Sequence, residues 1–122
     1  MLNKKELGSI GEKLAVSFLE AKGYRILERN FKSKIGEVDI VAQDKDTVCF
    51  IEVKARTTDD FGKAIEAVST TKQRRLAKVA LFYLRKNNLE DVGVRFDVVA
   101  IDFDEEDPKI EIIKNAFEVE NF

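Results

Sequence analysis

No histidine occurs anywhere in the 122 residues. That absence removes a Ser-His or Cys-His nucleophile pair, a histidine-ligated zinc, and the nucleases that use histidine as base. Acid–base work in this chain therefore falls to carboxylate, lysine or tyrosine. Cysteine occurs once, as Cys49, so an intrachain disulfide is excluded and a buried, inert thiol is expected. One proline and six glycines leave little room for disorder or long linkers. No apolar run approaches the roughly 20 residues a membrane helix needs. The opening stretch MLNKKELGSIGEKLAVSFLEAKGY is charged throughout and has no hydrophobic signal core. A cytoplasmic location without membrane contact is expected.

Hydrophobic residues at 44% and charged residues at 36% fit a globular protein with a heavily charged surface, read as one domain over residues 1–122. The formal net charge of −2 conceals a strong polarity. Residues 54–86 hold nine Lys/Arg against three Asp/Glu, whereas residues 102–122 hold two against eight. A basic middle and an acidic tail follow, and the local potential is what attracts a polyanion.

The chain is organised around GEVDIVAQDKDTVCFIEVKAR, residues 36–56. Two β-branched runs, 37–43 and 47–54, flank a polar turn and predict a hairpin. A loop centred between Lys45 and Asp46 sets Asp39 opposite Glu52 and Glu37 opposite Lys54. Strict alternation assigns Val38, Ile40, Ala42, Cys49, Ile51 and Val53 to a core face. Glu37, Asp39, Val41, Phe50, Glu52 and Lys54 then share the other face. Opposed residues have Cβ atoms about 4.5–5.5 Å apart, so two carboxylates held there need a cation, a proton or a lysine between them.

Around the hairpin, residues 3–22 read as an amphipathic helix stopped by Gly23, with Leu7, Leu14, Ala15, Phe18 and Leu19 near one stripe. Glu12 sits in that helix among Gly8, Ser9, Gly11 and Ala15. The two glycines are costly in a helix interior and imply close approach of a backbone or a ligand; the plainer reading is packing on the sheet with Glu12 solvated. Residues 24–31 read as an edge-like strand, and 32–35 as a basic loop. Residues 55–62 form a polar connection and 63–68 a short helical turn. A second helix, capped by Ser69, Thr70 or Thr71, runs to about Asn87 on a stripe of Leu76, Ala77, Ala80, Leu81 and Leu84. Strands at 94–102 and 109–114 flank an acidic turn, and Ala116-Phe117 is expected to plug the core. The order αβββαββ gives an α/β domain with a mixed sheet of about five strands flanked by helices.

Carboxylates without histidine or a cysteine cluster favour a hard cation such as Mg²⁺ or Mn²⁺. Shared by Asp39 and Glu52, the ion would polarise a phosphodiester oxygen and lower the pKa of a bound water. Lys54 would position that water or offset charge on the phosphoryl group, with its protonated form favoured by the nearby acids. Glu12 would complete the metal shell or hold a second ion, and Glu37 would orient Lys54. The plainer alternative is an ordinary Glu37–Lys54 ion pair, with Asp39 and Glu52 facing water.

Gly36-Glu37-Val38-Asp39 followed by Phe50-Ile51-Glu52-Val53-Lys54-Ala55-Arg56 resembles the core of the PD-(D/E)XK nuclease superfamily. The spacing is similar to that of the archaeal Holliday-junction resolvases. Across nearly the whole chain the match is closer to the bacterial YraN-like proteins, a family of predicted endonucleases. Gly11-Glu12, Gly23-Tyr24, Arg29-Asn30, Phe61-Gly62, Lys72, Arg95-Phe96-Asp97 and Asn115-Ala116-Phe117 also carry it. Val38 stands where the superfamily has a proline. The resemblance implies a restriction-endonuclease-like fold and metal-dependent nuclease chemistry. It carries over Glu12, Asp39, Glu52 and Lys54 as active-site residues and Lys72 as an auxiliary one; dimerisation is implied by analogy with junction-resolving relatives.

The expected partner is DNA, duplex or branched, held through phosphates by Arg56, Lys72, Arg74, Arg75 and Lys78, with Lys32 and Lys34 on a neighbouring loop. Two other readings stay open. One is a non-catalytic nucleic-acid-binding or adaptor module that keeps the fold; the other is a docking protein using the acidic tail.

Overall fold

The computed structural model describes residues 3–56, 68–103 and 106–119. Its elements are α1 (Lys4–Ala21), β1 (Arg25–Lys32), β2 (Glu37–Asp44), β3 (Thr47–Arg56), α2 (Thr70–Lys86), β4 (Gly93–Asp102) and β5 (Lys109–Ile113). This is the expected order αβββαββ, a mixed α/β architecture consistent with a restriction-endonuclease-like fold. The expected helical turn at 63–68 lies outside the described residues except for Val68. So do positions 57–62 of the polar connection and 104–105 of the acidic turn.

Local chemistry explains where the helices begin and end. Asn3 accepts the amide of Glu6 at 2.8 Å and starts α1, while Ser69 accepts the amide of Lys72 at 3.2 Å and starts α2. Each cap satisfies an amide that has no partner inside its helix. After α1, Gly23 takes φ +94°, and the amides of Gly23 and Tyr24 return to the carbonyls of Glu20 and Leu19. Asn88, at φ 54°, closes α2 similarly, with Leu89 donating to the carbonyl of Leu84.

The strands form one sheet in the order β1-β2-β3-β4-β5. All neighbours are antiparallel except β3 and β4, which run parallel, and α2 lies in the connection between those two. Between β2 and β3 the pairs run from Asp44↔Thr47 to Ile40↔Ile51, the expected register. Lys45 takes φ 57° in the two-residue turn.

The sheet separates two apolar clusters. On the α1 side, Ala15 and Leu19 pack with Ile40, Ala42, Cys49, Ile51, Val99 and Ile101. Gly11 permits this approach: a Cβ there would stand 3.1 Å from Ala55 Cβ. Cys49 is buried and burial pushes its thiol up to about 12, so the inert thiol is as expected. On the α2 side, Leu76, Ala77, Val79, Ala80, Tyr83 and Leu84 cover Val41, Val48, Phe50, Phe96 and Val98. Three packing expectations need correction. Val38 joins the α2-side cluster rather than that of Ile40, because β2 departs from strict alternation near its start. Leu81 is only partly buried, whereas Val79 and Tyr83 belong to the buried stripe. Phe117 does plug the core, stacked on Phe96 with ring centroids 5.1 Å apart.

One ion pair is buried at the turn end of the sheet. Asp97, 1% exposed, accepts Nε and Nη2 of Arg95 at 2.9 Å and the amide of Asn115 at 2.9 Å. Arg95 Nη2 also donates to the Tyr24 hydroxyl at 2.8 Å and to Asp44 at 3.1 Å. This network ties the segment after β5 to the sheet, and its donors leave little of the buried charge unsatisfied. Among the described residues, no helix is long and apolar enough to cross a membrane.

Candidate functional site

Beyond Ile40↔Ile51 the side chain of Asp39 takes over part of the backbone's work. Its Oδ2 accepts the amide of Val53 at 2.8 Å, which ties the carboxylate to β3. Glu52 and Lys54 project on the α2 side from the C-terminal half of β3, where the first turn of α2 brings in Lys72. Asp39, Glu52, Lys54, Lys72, Glu37 and Arg75 line one cavity of about 440 Å³, together with Gly36, Val53 and Leu76. The two carboxylates thus open into the same space, although the β2–β3 pairing ends at Ile40↔Ile51, short of the expected Asp39–Glu52 and Glu37–Lys54 pairs.

Its electrostatics are strained. Glu52 is 6% exposed; burial and then the field of Asp39 raise its pKa. Burial likewise raises that of Asp39, outweighing the Val53 amide and the two lysines. The compensating cation is Lys72, whose Nζ lies 3.1 Å from Glu52 Oε2. Burial works against the Lys72 charge, but the hydrogen bond to Lys54 and the Glu52 carboxylate prevail and raise its pKa. Lys54 moves the other way: burial, then its hydrogen bond to Lys72 and the Lys72 charge, lower its pKa. Glu52 does favour the charged form of Lys54, as expected from the sequence, but burial and Lys72 act more strongly in the other direction. The neighbour that adds to the effect of burial is a lysine from α2, which hairpin register alone does not bring into view.

The donor set can be tested against a divalent ion. Asp39 and Glu52 offer only oxygen, which suits a hard cation, and Mg²⁺ commonly binds through one or two carboxylates while keeping several waters. Their mutual repulsion is the other sign of fit, since a cation between them would relieve it. Among the described residues, no three Asp, Glu, Cys or His side chains gather into a complete ligand set. An ion held by Asp39 and Glu52 alone would keep much of its water shell.

Glu12 stands apart on α1 and does not line this cavity. It still feels it, because burial and then Asp39 raise its pKa. Its Oε1 is buried and accepts no hydrogen bond, which counts against the simple solvated reading. Glu37 is exposed and pairs in register with Lys32 across β1 and β2. Arg74, Arg75 and Lys78 border a second cavity of about 350 Å³ with Ile35 and Thr71. Lys32 and Lys34 are exposed and Arg56 half-buried at the end of β3; none of the three lines either cavity. Sequence reasoning missed the Val53 amide, Ile35 and the contribution of Gly36. A glycine followed by an acidic residue at a strand start was the available signal for Gly36. Nothing local marks the other two.

Fold and site together define a mixed α/β domain in which paired acids and paired lysines converge where the sheet meets a helix start. The chain belongs to the Uncharacterised protein family UPF0102, whose model matches residues 11–101; this is the family to which the YraN-like resemblance points. The UPF0102 protein of Geobacter metallireducens is 50% identical over 118 residues, covering 97% of both chains. That of Thermodesulfovibrio yellowstonii is 51% identical over 112 residues, covering 92% of this chain and 96% of its own. Among solved structures, Pyrococcus furiosus SfsA in complex with Ca²⁺ is 15% identical, over 90% of this chain and 60% of that one. Its TM-score is 0.28, too low to carry an argument.

Proposed function

We propose that this protein is a Mg²⁺- or Mn²⁺-dependent endonuclease of the PD-(D/E)XK type, hydrolysing DNA phosphodiesters in branched or otherwise structured substrates in the cytoplasm. The observation that carries the reading is the convergence of Asp39, Glu52, Lys54 and Lys72 on one cavity. Asp39 and Glu52 would hold the ion, which when bound supplies Lewis-acid polarisation of the phosphodiester and a more acidic water.

The chain's own groups supply the rest. The Val53 amide fixes Asp39, so the carboxylate needs little reorganisation. Lys54 Nζ, lining the same cavity, orients the attacking water. Lys72, held at 3.1 Å from Glu52, offsets negative charge that builds on the phosphoryl oxygens. Arg74, Arg75 and Lys78 flank the cavity, with Lys32, Lys34 and Arg56 further out, and hold phosphates without reading bases. Affinity then falls steeply with salt.

A second reading has one observation in its favour. The Lys72–Glu52 contact already compensates part of the acidic charge without an ion, as a non-catalytic DNA-binding module would require. Branched and linear DNA incubated with Mg²⁺ or Mn²⁺ separates the two. The nuclease reading expects cleavage by the wild type and a loss of about 100-fold in Glu52→Ala. Equal products from both proteins indicate a contaminant and remove the proposal.

A further inference from the structure

The second cavity has a wall that phosphate binding alone does not explain. Ile35 is 44% exposed, yet it lines this space among Thr71, Arg74, Arg75 and Lys78. An apolar side chain gains nothing from standing in water beside three cations. It is also held there by a rigid turn. The Ser33 amide donates to the Gly36 carbonyl at 2.8 Å, and the Ser33 hydroxyl donates to the same carbonyl at 3.0 Å. The amides of Ile35 and Gly36 return to Ser33 Oγ at 3.2 and 3.3 Å. The turn in turn rests on α2: a Cβ at Gly36 would stand 3.0 Å from Arg75 Cδ and 3.4 Å from Val79 Cγ2. Gly36 thereby lets the stem of Arg75 lie against the loop, and Arg75 borders both cavities.

Arg75 thus stands between the cavity of the paired carboxylates and a neighbouring pocket with cations on one side and an apolar platform on the other. At about 350 Å³ it has the size of a small-molecule pocket, enough for a nucleotide and too small for a duplex. Single-strand sites combine a cationic groove for the backbone with aromatic side chains against the base faces; isoleucine offers the apolar face without the ring, and is among the apolar side chains that wedge between base steps.

We infer that this pocket receives an unpaired nucleotide next to the scissile phosphate, with Ile35 against its base and Arg74, Arg75 and Lys78 on its phosphates, so that the substrate is DNA with a single-stranded segment at the edge of a duplex. The inference rests on the nuclease reading only for its reference to cleavage. Binding itself needs no metal, and an isoleucine face with no hydrogen-bonding group makes it tolerant of sequence.

Fluorescence anisotropy in EDTA tests it, using a blunt duplex, the same duplex with splayed ends, and the single strand. The wild type should bind the splayed probe most tightly. Ile35→Ser should weaken that complex about fivefold, since a half-exposed isoleucine has only part of its area left to bury, and leave the blunt duplex within about twofold. Ile35→Phe, with a larger platform, should tighten the splayed complex instead. Arg74→Ala should weaken all three probes. Equal affinity of the wild type for splayed and blunt DNA overturns the inference, as does an Ile35→Ser effect that is uniform or absent. Preferential binding without any cleavage when Mg²⁺ is added leaves the pocket standing and removes only the nuclease reading.

Discussion

Asp39 performs two jobs that substitution can separate. Its Oδ2 accepts the Val53 amide at 2.8 Å, and its ionised carboxyl is disfavoured by burial beside Glu52. Asp39→Asn keeps an acceptor for the amide and removes the charge, whereas Asp39→Ala removes both. An unsatisfied buried amide costs about 1–3 kcal/mol, so the alanine variant should be less stable than the asparagine variant by that amount. At this chain length the difference corresponds to roughly 3–10 °C in melting temperature. The comparison of asparagine with wild type isolates the charge. Because the folded pKa of Asp39 is raised, its favourable contribution is complete below the ordinary carboxylate pKa near 4 and is lost as pH rises through the folded value. The advantage of Asp39→Asn over wild type should therefore grow from about pH 4 upward and then level off. Urea denaturation in EDTA across that range measures both effects. Equal stability of the alanine and asparagine variants would refute the role of the amide, and a wild-type–asparagine difference independent of pH would refute that of the charge.

Two further expectations concern the scaffold. Gly8→Ala should stabilise α1 by about 1 kcal/mol, because nothing lies within 4 Å of the added methyl. Gly11→Ala should destabilise instead, because its methyl meets Ala55 Cβ at 3.1 Å; thermal denaturation of the pair decides whether helix packing accounts for Gly11. Asp97→Ala strands Arg95 and the Asn115 amide, and should cost about 3–5 kcal/mol in urea denaturation. A cost near 1 kcal/mol would mean that Tyr24 and Asp44 hold Arg95 without it.

What the sequence could reveal follows the range of the forces involved. The hairpin register was legible as far as Ile40↔Ile51 because a two-residue turn fixes it locally; beyond that, Asp39 reaches the cavity of Glu52 while accepting the Val53 amide. Helix limits were legible for the same reason: Ser69 and Gly23 act on backbone groups within a few residues. The face of Val38 was not: it joins the α2-side cluster while Ile40, two positions on, joins the other. Neither was the direction of the Lys54 pKa shift, to which burial and then Lys72 contribute, the latter eighteen positions along the sequence and on another element. Arg95 and Asp97 could be read as an Arg-x-Asp pattern on an otherwise apolar strand, yet their partners Tyr24, Asp44 and Asn115 come from three other parts of the chain. Ile35 escaped because only the assembled turn and α2 give its exposure a setting.

The central claim is that Asp39 and Glu52 together hold a divalent cation, and calorimetric titration of Mn²⁺ into the apo protein tests it most directly. The account predicts a single saturable site in the wild type that is lost in Asp39→Asn and Glu52→Gln, with both variants still folded. No binding by the wild type, or the same isotherm in all three proteins, would contradict it.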